Sequence, residues 1–93
     1  MTEPEETHLL LYKYVQDMAE RRIPYREAHL AQINAARDAG HLVIAGGLGD
    51  PVAGGALGFK GLKRAEVEAW SDEDPYWRAG LVVERIVEPW KLV

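Results

Sequence analysis

Apolar and polar positions alternate with three different rhythms along this chain. From His8 to Val15 the run His-Leu-Leu-Leu-Tyr-Lys-Tyr-Val is aliphatic and aromatic, short, and followed by polar residues, which predicts a first strand. Residues 16–23 predict a loop with room for one turn of helix. Pro24 suits the first turn of a following helix, where its missing N–H has no intrahelical partner, and Gly40 suits its C-terminal cap. At about 100° per residue, Tyr25, Ala28, Ile33, Ala35, Ala36 and Ala39 share one arc, while Arg26, Glu27, Asn34, Arg37 and Asp38 lie opposite. His29 and Gln32 fall inside the apolar arc. Leu30 projects toward the polar side, where a loop or a partner subunit would meet it.

His41 to Leu48 is almost continuously apolar before the turn-rich Gly46-Gly47-Leu48-Gly49-Asp50-Pro51, so it predicts a second strand and a hairpin into a third, Gly54 to Lys60. Glycines at 54, 55 and 58 weaken that strand, and they are expected where a backbone, a ligand or a bulky ring approaches closely. It therefore floors a pocket or a crowded interface. Arg64 to Ser71 predicts a second helix turning Ala65, Val67, Ala69 and Trp70 to the core. Asp74-Pro75 predicts an N-cap and first residue of a short helical turn that Gly80 ends, and Leu81 to Trp90 predicts a last strand with Pro89 near its terminus.

Strand, helix, strand, strand, helix, strand is the split βαβ order, an α+β architecture with a four-stranded antiparallel sheet and both helices on one face. The other face is left bare. Strands two and four place apolar residues at consecutive positions, so both of their faces call for burial, and a homodimer packed sheet to sheet satisfies them.

Composition narrows the function. A chain of 93 residues is one domain that hides roughly 60–65% of its unfolded surface. Residues 1–7 read as a frayed tail. There is no cysteine, hence no disulfide framework and no thiolate chemistry. No apolar run approaches the roughly 18 residues of a membrane span, and Glu3, Glu5 and Glu6 do not resemble a basic signal region, so a soluble cytoplasmic protein is expected. A net charge of −4 with scattered Lys and Arg argues against nucleic acid. Arg21, Arg22 and Arg26 form a local basic cluster, which is either a solvated face or a holder for a small anion.

Several chemistries drop out. Gly47-Leu48-Gly49 lacks the third glycine of a dinucleotide loop and precedes a strand, and no phosphate loop is present. His8, His29 and His41 have no zinc spacing, so no metal is expected. Ser71, the only serine, sits in a helix-end context rather than a triad. What remains is His29, an ionisable ring on an apolar helix face, and Asp74, a carboxylate far along the chain. Each also has a structural reading: His29 as a buried neutral ring bonded to a carbonyl, Asp74 as a helix cap. The two roles of Asp74 are compatible if one oxygen caps while the other faces the imidazole. Tyr12 and Tyr14 either line a pocket or pack the sheet, and Trp70, Trp77 and Trp90 belong to the core or an interface.

Arg26-Glu27-Ala28-His29-Leu30, Gly40, Ala45-Gly46-Gly47, Asp74-Pro75-Tyr76 with Ala79-Gly80-Leu81, and Val87-Glu88-Pro89-Trp90-Lys91 together resemble the YciI-like (YCII-related) family over about residues 8 to 93. The resemblance implies a ferredoxin-like β-α-β-β-α-β fold forming a dimeric α/β-barrel, related in shape to muconolactone isomerases and small monooxygenases. It implies that His29 and Asp74 are the family's His-Asp pair and that Arg26 matches the Arg preceding that His. Dehydrochlorination of a hydroxylated aromatic is the chemistry of the few relatives with an assigned reaction. The compact hairpin Gly49 to Ala53, and Trp90 where Phe is usual, depart from the family's pattern.

The resulting expectation is general acid–base catalysis without a cofactor, an isomerisation or elimination on a small cyclic or aromatic anion. His29 and Asp74 carry the protons, and Arg26, Tyr12 and Gly46 contact substrate. The competing expectations are a non-catalytic dimeric module that binds a small ligand or a protein, with His29 and Asp74 structural, and a small haem-dependent oxygenase of the same shape.

Overall fold

The structure, a computed structural model, describes residues 6–93. Its strands are β1 (Thr7–Tyr14), β2 (Leu42–Leu48), β3 (Gly54–Lys60) and β4 (Val82–Pro89). Its helices are α1 (Met18–Arg21), α2 (Arg26–Asp38), α3 (Arg64–Asp72) and α4 (Pro75–Arg78). Of the expected tail, residues 1–5 lie outside the described residues, and Thr7 already pairs with Lys60 in the sheet.

The sheet order is β2-β3-β1-β4, with every neighbouring pair antiparallel. This is the ferredoxin-like α+β arrangement expected from the pattern. In β1 the buried side chains His8, Leu10 and Tyr12 alternate with half-buried Leu9 and Leu11 and exposed Lys13. The period of two thus assigns one face to the helices and leaves the other open. On the covered face, Leu10, Leu57, Phe59 and Val87 from the sheet meet Ile33 of α2, Val67 of α3 and Tyr76 of α4. The Gln32 amide donates to the Trp70 carbonyl at 2.7 Å and ties α2 to α3. Among the described residues no helix is long and apolar enough to cross a membrane.

Several boundaries differ from the sequence expectation. Pro24 lies in a 3-10 turn, Ile23–Tyr25, so the α-helix opens at Arg26 rather than at Pro24. Gly40 and Gly80 end their helices at φ of 80° and 73°, as the capping argument required. The buried stripe of α2 is narrower than the arc drawn from sequence: His29, Ile33 and Ala36 are buried, while Tyr25, Ala28, Ala35 and Ala39 face solvent. In α3 the buried residues are Val67 and Ser71, Trp70 is half-buried, and Ala65 and Ala69 are exposed. The consecutive apolar residues of β2 reflect an irregularity: register shifts between Leu42 and Ile44, Leu42 points inward, and Val43 and Ile44 are exposed.

Candidate active site

His29 sits one turn into α2, facing the sheet, at 4% exposure. Asp74 enters from the other half of the chain. It ends the loop after α3 and caps α4, where Pro75 occupies the first helical position and the Asp74 side chain accepts the Tyr76 N–H at 3.0 Å. The cap fixes the carboxylate before any second partner is considered. His29 Nδ1 then lies 2.8 Å from Asp74 Oδ1, with the carboxylate fully buried.

One oxygen does both jobs, since the cap and the imidazole share Oδ1. The sequence expectation divides them between two oxygens. The second oxygen, Oδ2, accepts the Tyr12 hydroxyl at 3.0 Å, and that hydroxyl also lies 2.8 Å from Ser71 Oγ. Arg85 donates to Ser71 Oγ at 3.0 Å, pairs with Asp72 at 2.8 Å, and lies over the Trp77 ring at 3.7 Å. Burial, followed by the negative charge of Asp74, pushes the Tyr12 hydroxyl far above the ordinary phenol range, so it stays a donor. A carboxylate only accepts, so Asp74 makes His29 Nδ1 a protonated nitrogen, and in the neutral ring Nε2 is then the acceptor.

Nε2 is the free end. Among the described residues it has no hydrogen-bond partner, and the only sealed, unpaired side-chain polar atom is His8 Nδ1. His29 lines a cavity of about 190 Å³ together with Tyr14, Arg22, Arg26, Arg37 and the glycines of β2. Leu30, Ile33, Val52 and Leu57 give it apolar walls. Among the described residues no carboxylate borders it, so a chain of net charge −4 presents three guanidinium groups at one concavity. The imidazole stacks on Tyr76 at 3.7 Å between centroids and 9° between planes, and the Tyr76 hydroxyl accepts from Arg26 Nη1 at 3.1 Å. Tyr76 thereby fixes the plane of His29 and the position of Arg26 at once.

Of the residues expected at the site, His29, Arg26 and Gly46 line the cavity, and Asp74 stands directly behind His29. Tyr12 does not line it. At 3% exposure it lies behind the dyad with its hydroxyl engaged by Asp74 and Ser71, and Tyr14 is the tyrosine at the cavity. Sequence reasoning also missed Tyr76, Ser71 and Arg85. Tyr76 had a signal in the Asp-Pro-Tyr cap, which places the ring two residues beyond the carboxylate. Ser71 and Arg85 had none, because their roles depend on the tertiary meeting of α3 and β4. Leu30, the misfit of the helical wheel, is a wall of the cavity. Among the described residues no group of three or more His, Cys, Asp or Glu side chains is placed to hold a metal ion.

The model of the YCII-related domain matches residues 7–91. The chain belongs to that family. This YCII-related chain is 37% identical to the protein YciI of Escherichia coli O6:H1 over 99 aligned positions, covering 91% of this chain and 99% of the relative. The YciI protein of Shigella flexneri matches equally. Among solved structures it resembles the 5-chloro-2-hydroxyhydroquinone dehydrochlorinase of Burkholderia phenoliruptrix, determined in complex with 2,5-dihydroxybenzoquinone. The TM-score is 0.78 at 26% identity, over 91% of this chain and 93% of that one.

Proposed function

We propose that this YCII-related protein is a cofactor-independent acid–base enzyme that isomerises, or eliminates a group such as chloride from, a small cyclic or aromatic anion. The observation that carries the reading is the buried 2.8 Å contact between His29 Nδ1 and Asp74 Oδ1 beside a cavity lined by arginines. Nε2 takes a proton from a substrate carbon or hydroxyl, Asp74 holds the ring and its tautomer, and Arg26 with its cavity neighbours holds the negative charge. Such positioned proton transfer contributes about 10²–10⁴-fold in rate, enough for an activated C–H or O–H. Size agrees with the class: a cavity of about 150 Å³ admits benzene, so the roughly 190 Å³ here suits one ring with small substituents. The dehydrochlorinase of similar fold, seen with a dihydroxybenzoquinone, supports the same ligand type.

The working form in this reading is a homodimer packed sheet to sheet. The open face carries half-buried Leu9 and Leu11 and exposed Ile44, Leu48 and Ile86, an apolar surface of the kind that a second copy covers.

The test is chloride release from 5-chloro-2-hydroxyhydroquinone by the wild type and His29→Gln, with melting temperatures recorded for both. Release by the wild type and a loss of at least 100-fold in a folded His29→Gln protein is the expected result. Equal rates would remove His29 from the chemistry. A non-catalytic binding module predicts instead no release by either protein, with His29→Gln impairing stability or assembly.

A further inference from the structure

The site described so far has a proton acceptor and a cationic rim, but proton removal from a neutral or singly charged ring also builds charge on one particular oxygen. We propose that Tyr14 is a second catalytic residue, whose hydroxyl donates a hydrogen bond to the substrate oxygen that becomes negative as His29 takes the proton. This rests on the acid–base reading above and sharpens it to ring compounds with a carbonyl or enol oxygen conjugated to the acidic position.

Three independent features of the fold point to that hydroxyl. Tyr14 lines the same cavity as His29, and among the described residues its hydroxyl has no hydrogen-bond partner, unlike those of Tyr12 and Tyr76. Its ring meets the ring of Tyr76 edge-on at 5.9 Å, and Tyr76 also stacks on the His29 imidazole, so one tyrosine braces both groups. Room for the hydroxyl is built into β3. A Cβ at Gly55 would fall 2.5 Å from Tyr14 Oη, which gives one of the unexpected glycines in that strand a specific purpose.

The surroundings also keep the group in the donating form. Burial first, then the charge of Asp74 and the neighbouring Tyr76, push the Tyr14 hydroxyl far above the ordinary phenol range, while Arg22 and Arg26 pull less strongly the other way. It stays protonated through neutral pH and donates without losing its proton.

The step balances with the residues named. The Nε2 lone pair of His29 forms a new N–H bond as the substrate C–H or O–H bond breaks. The freed electron pair moves through the conjugated ring onto the carbonyl oxygen, which the Tyr14 O–H and the nearby guanidinium groups stabilise. Return of that pair forms a ring C=C bond as a leaving group such as chloride departs with its bonding electrons from the adjacent saturated carbon, or recaptures the proton at another carbon for an isomerisation. In either case His29 returns its proton to water or to product, and no oxidant or reductant is required.

The probe is 2,5-dihydroxybenzoquinone, followed by its visible absorption during titration into the wild type, Tyr14→Phe, and the control Tyr25→Phe, whose ring is 40% exposed and outside the cavity. Tyr14→Phe is expected to weaken binding about 10- to 100-fold, the scale of a lost hydrogen bond to a charged oxygen. At saturation it should also shift the absorption band of the bound probe, which a merely structural role would leave in place. Tyr25→Phe should match the wild type in both. If Tyr14→Phe does not fold, Gly55→Ala displaces the hydroxyl without deleting it and should show the same band shift. Binding and spectrum unchanged in the variant would overturn the role of Tyr14 while leaving the His29 reaction standing. Absence of probe binding by the wild type would overturn both the role and the ligand class.

Discussion

Asp74 accepts three hydrogen bonds with no exposed surface, so its replacement probes the whole constellation at once. In Asp74→Ala the Tyr76 N–H loses its cap, worth about 1 kcal/mol, and the imidazole loses a buried acceptor, at about 1–3 kcal/mol. The Tyr12 hydroxyl can turn its one proton to Ser71 Oγ instead and adds little. The total is about 2–4 kcal/mol. For a domain of 93 residues, whose whole stability is about 5–14 kcal/mol, that lowers the melting temperature by roughly 10–30 °C.

Asp74→Asn separates geometry from charge. Because the Tyr76 N–H requires an acceptor at the Oδ1 position, the amide oxygen is held there and still accepts from His29 Nδ1, while the amide nitrogen faces a Tyr12 hydroxyl able to accept. The expected loss is about 1–2 kcal/mol, clearly smaller than for Ala. Thermal melting at one fixed protein concentration measures the ranking, and nitrogen-15 NMR of the His29 side chain should find Nδ1 protonated in both the wild type and the Asn variant. If the Ala variant melts within about 3 °C of the wild type, or the wild-type ring carries its proton on Nε2, the reasoning about the shared oxygen is wrong.

Two further outcomes follow from the same contacts. Folding holds the Tyr12 and Tyr14 hydroxyls well above their unfolded value of about 10, so their contribution is intact below that pH and declines above it, where only the unfolded chain loses protons. The decline reaches at most about 1.4 kcal/mol per pH unit for each, and urea unfolding between about pH 9 and 11 should show a shallower slope in Tyr12→Phe; identical slopes would contradict the buried state of that hydroxyl. Ile44→Glu places a charge on the open sheet face, where Ile44 is 59% exposed, and should weaken a sheet-to-sheet dimer by about 100-fold or more in sedimentation experiments. A wild type that sediments as a monomer at high concentration would remove the dimer from the proposed function.

How much of this is legible in the sequence depends on whether the deciding contact is local. Caps were: Gly40 and Gly80 terminate their helices by a rule that involves only their own backbone, and Asp74-Pro75 identified itself as a helix start. The four-stranded antiparallel sheet followed from the succession of elements. The two tyrosines of β1 show where local rules end. Both occupy the face of Leu10, so alternation gives them the same environment, yet Tyr12 is opposite Arg85 and beneath Asp74 and Ser71, whereas Tyr14 follows a register shift at the strand end and reaches the cavity. In β2, likewise, an apolar run looked two-sided because the bulge that turns Val43 and Ile44 outward leaves no mark in composition.

The His29 and Asp74 pairing is the instructive intermediate case. Each residue alone admitted a complete structural explanation, and only the family resemblance joined them. The structural role and the proposed chemical role are compatible, since the oxygen that caps α4 is the one that grips the imidazole. A carboxylate held by the backbone of its own helix cannot relax away when its partner ring gains or loses a proton. That is the rigidity the proposed proton transfer needs, so a cap signal in the sequence is compatible with a role in the proposed site.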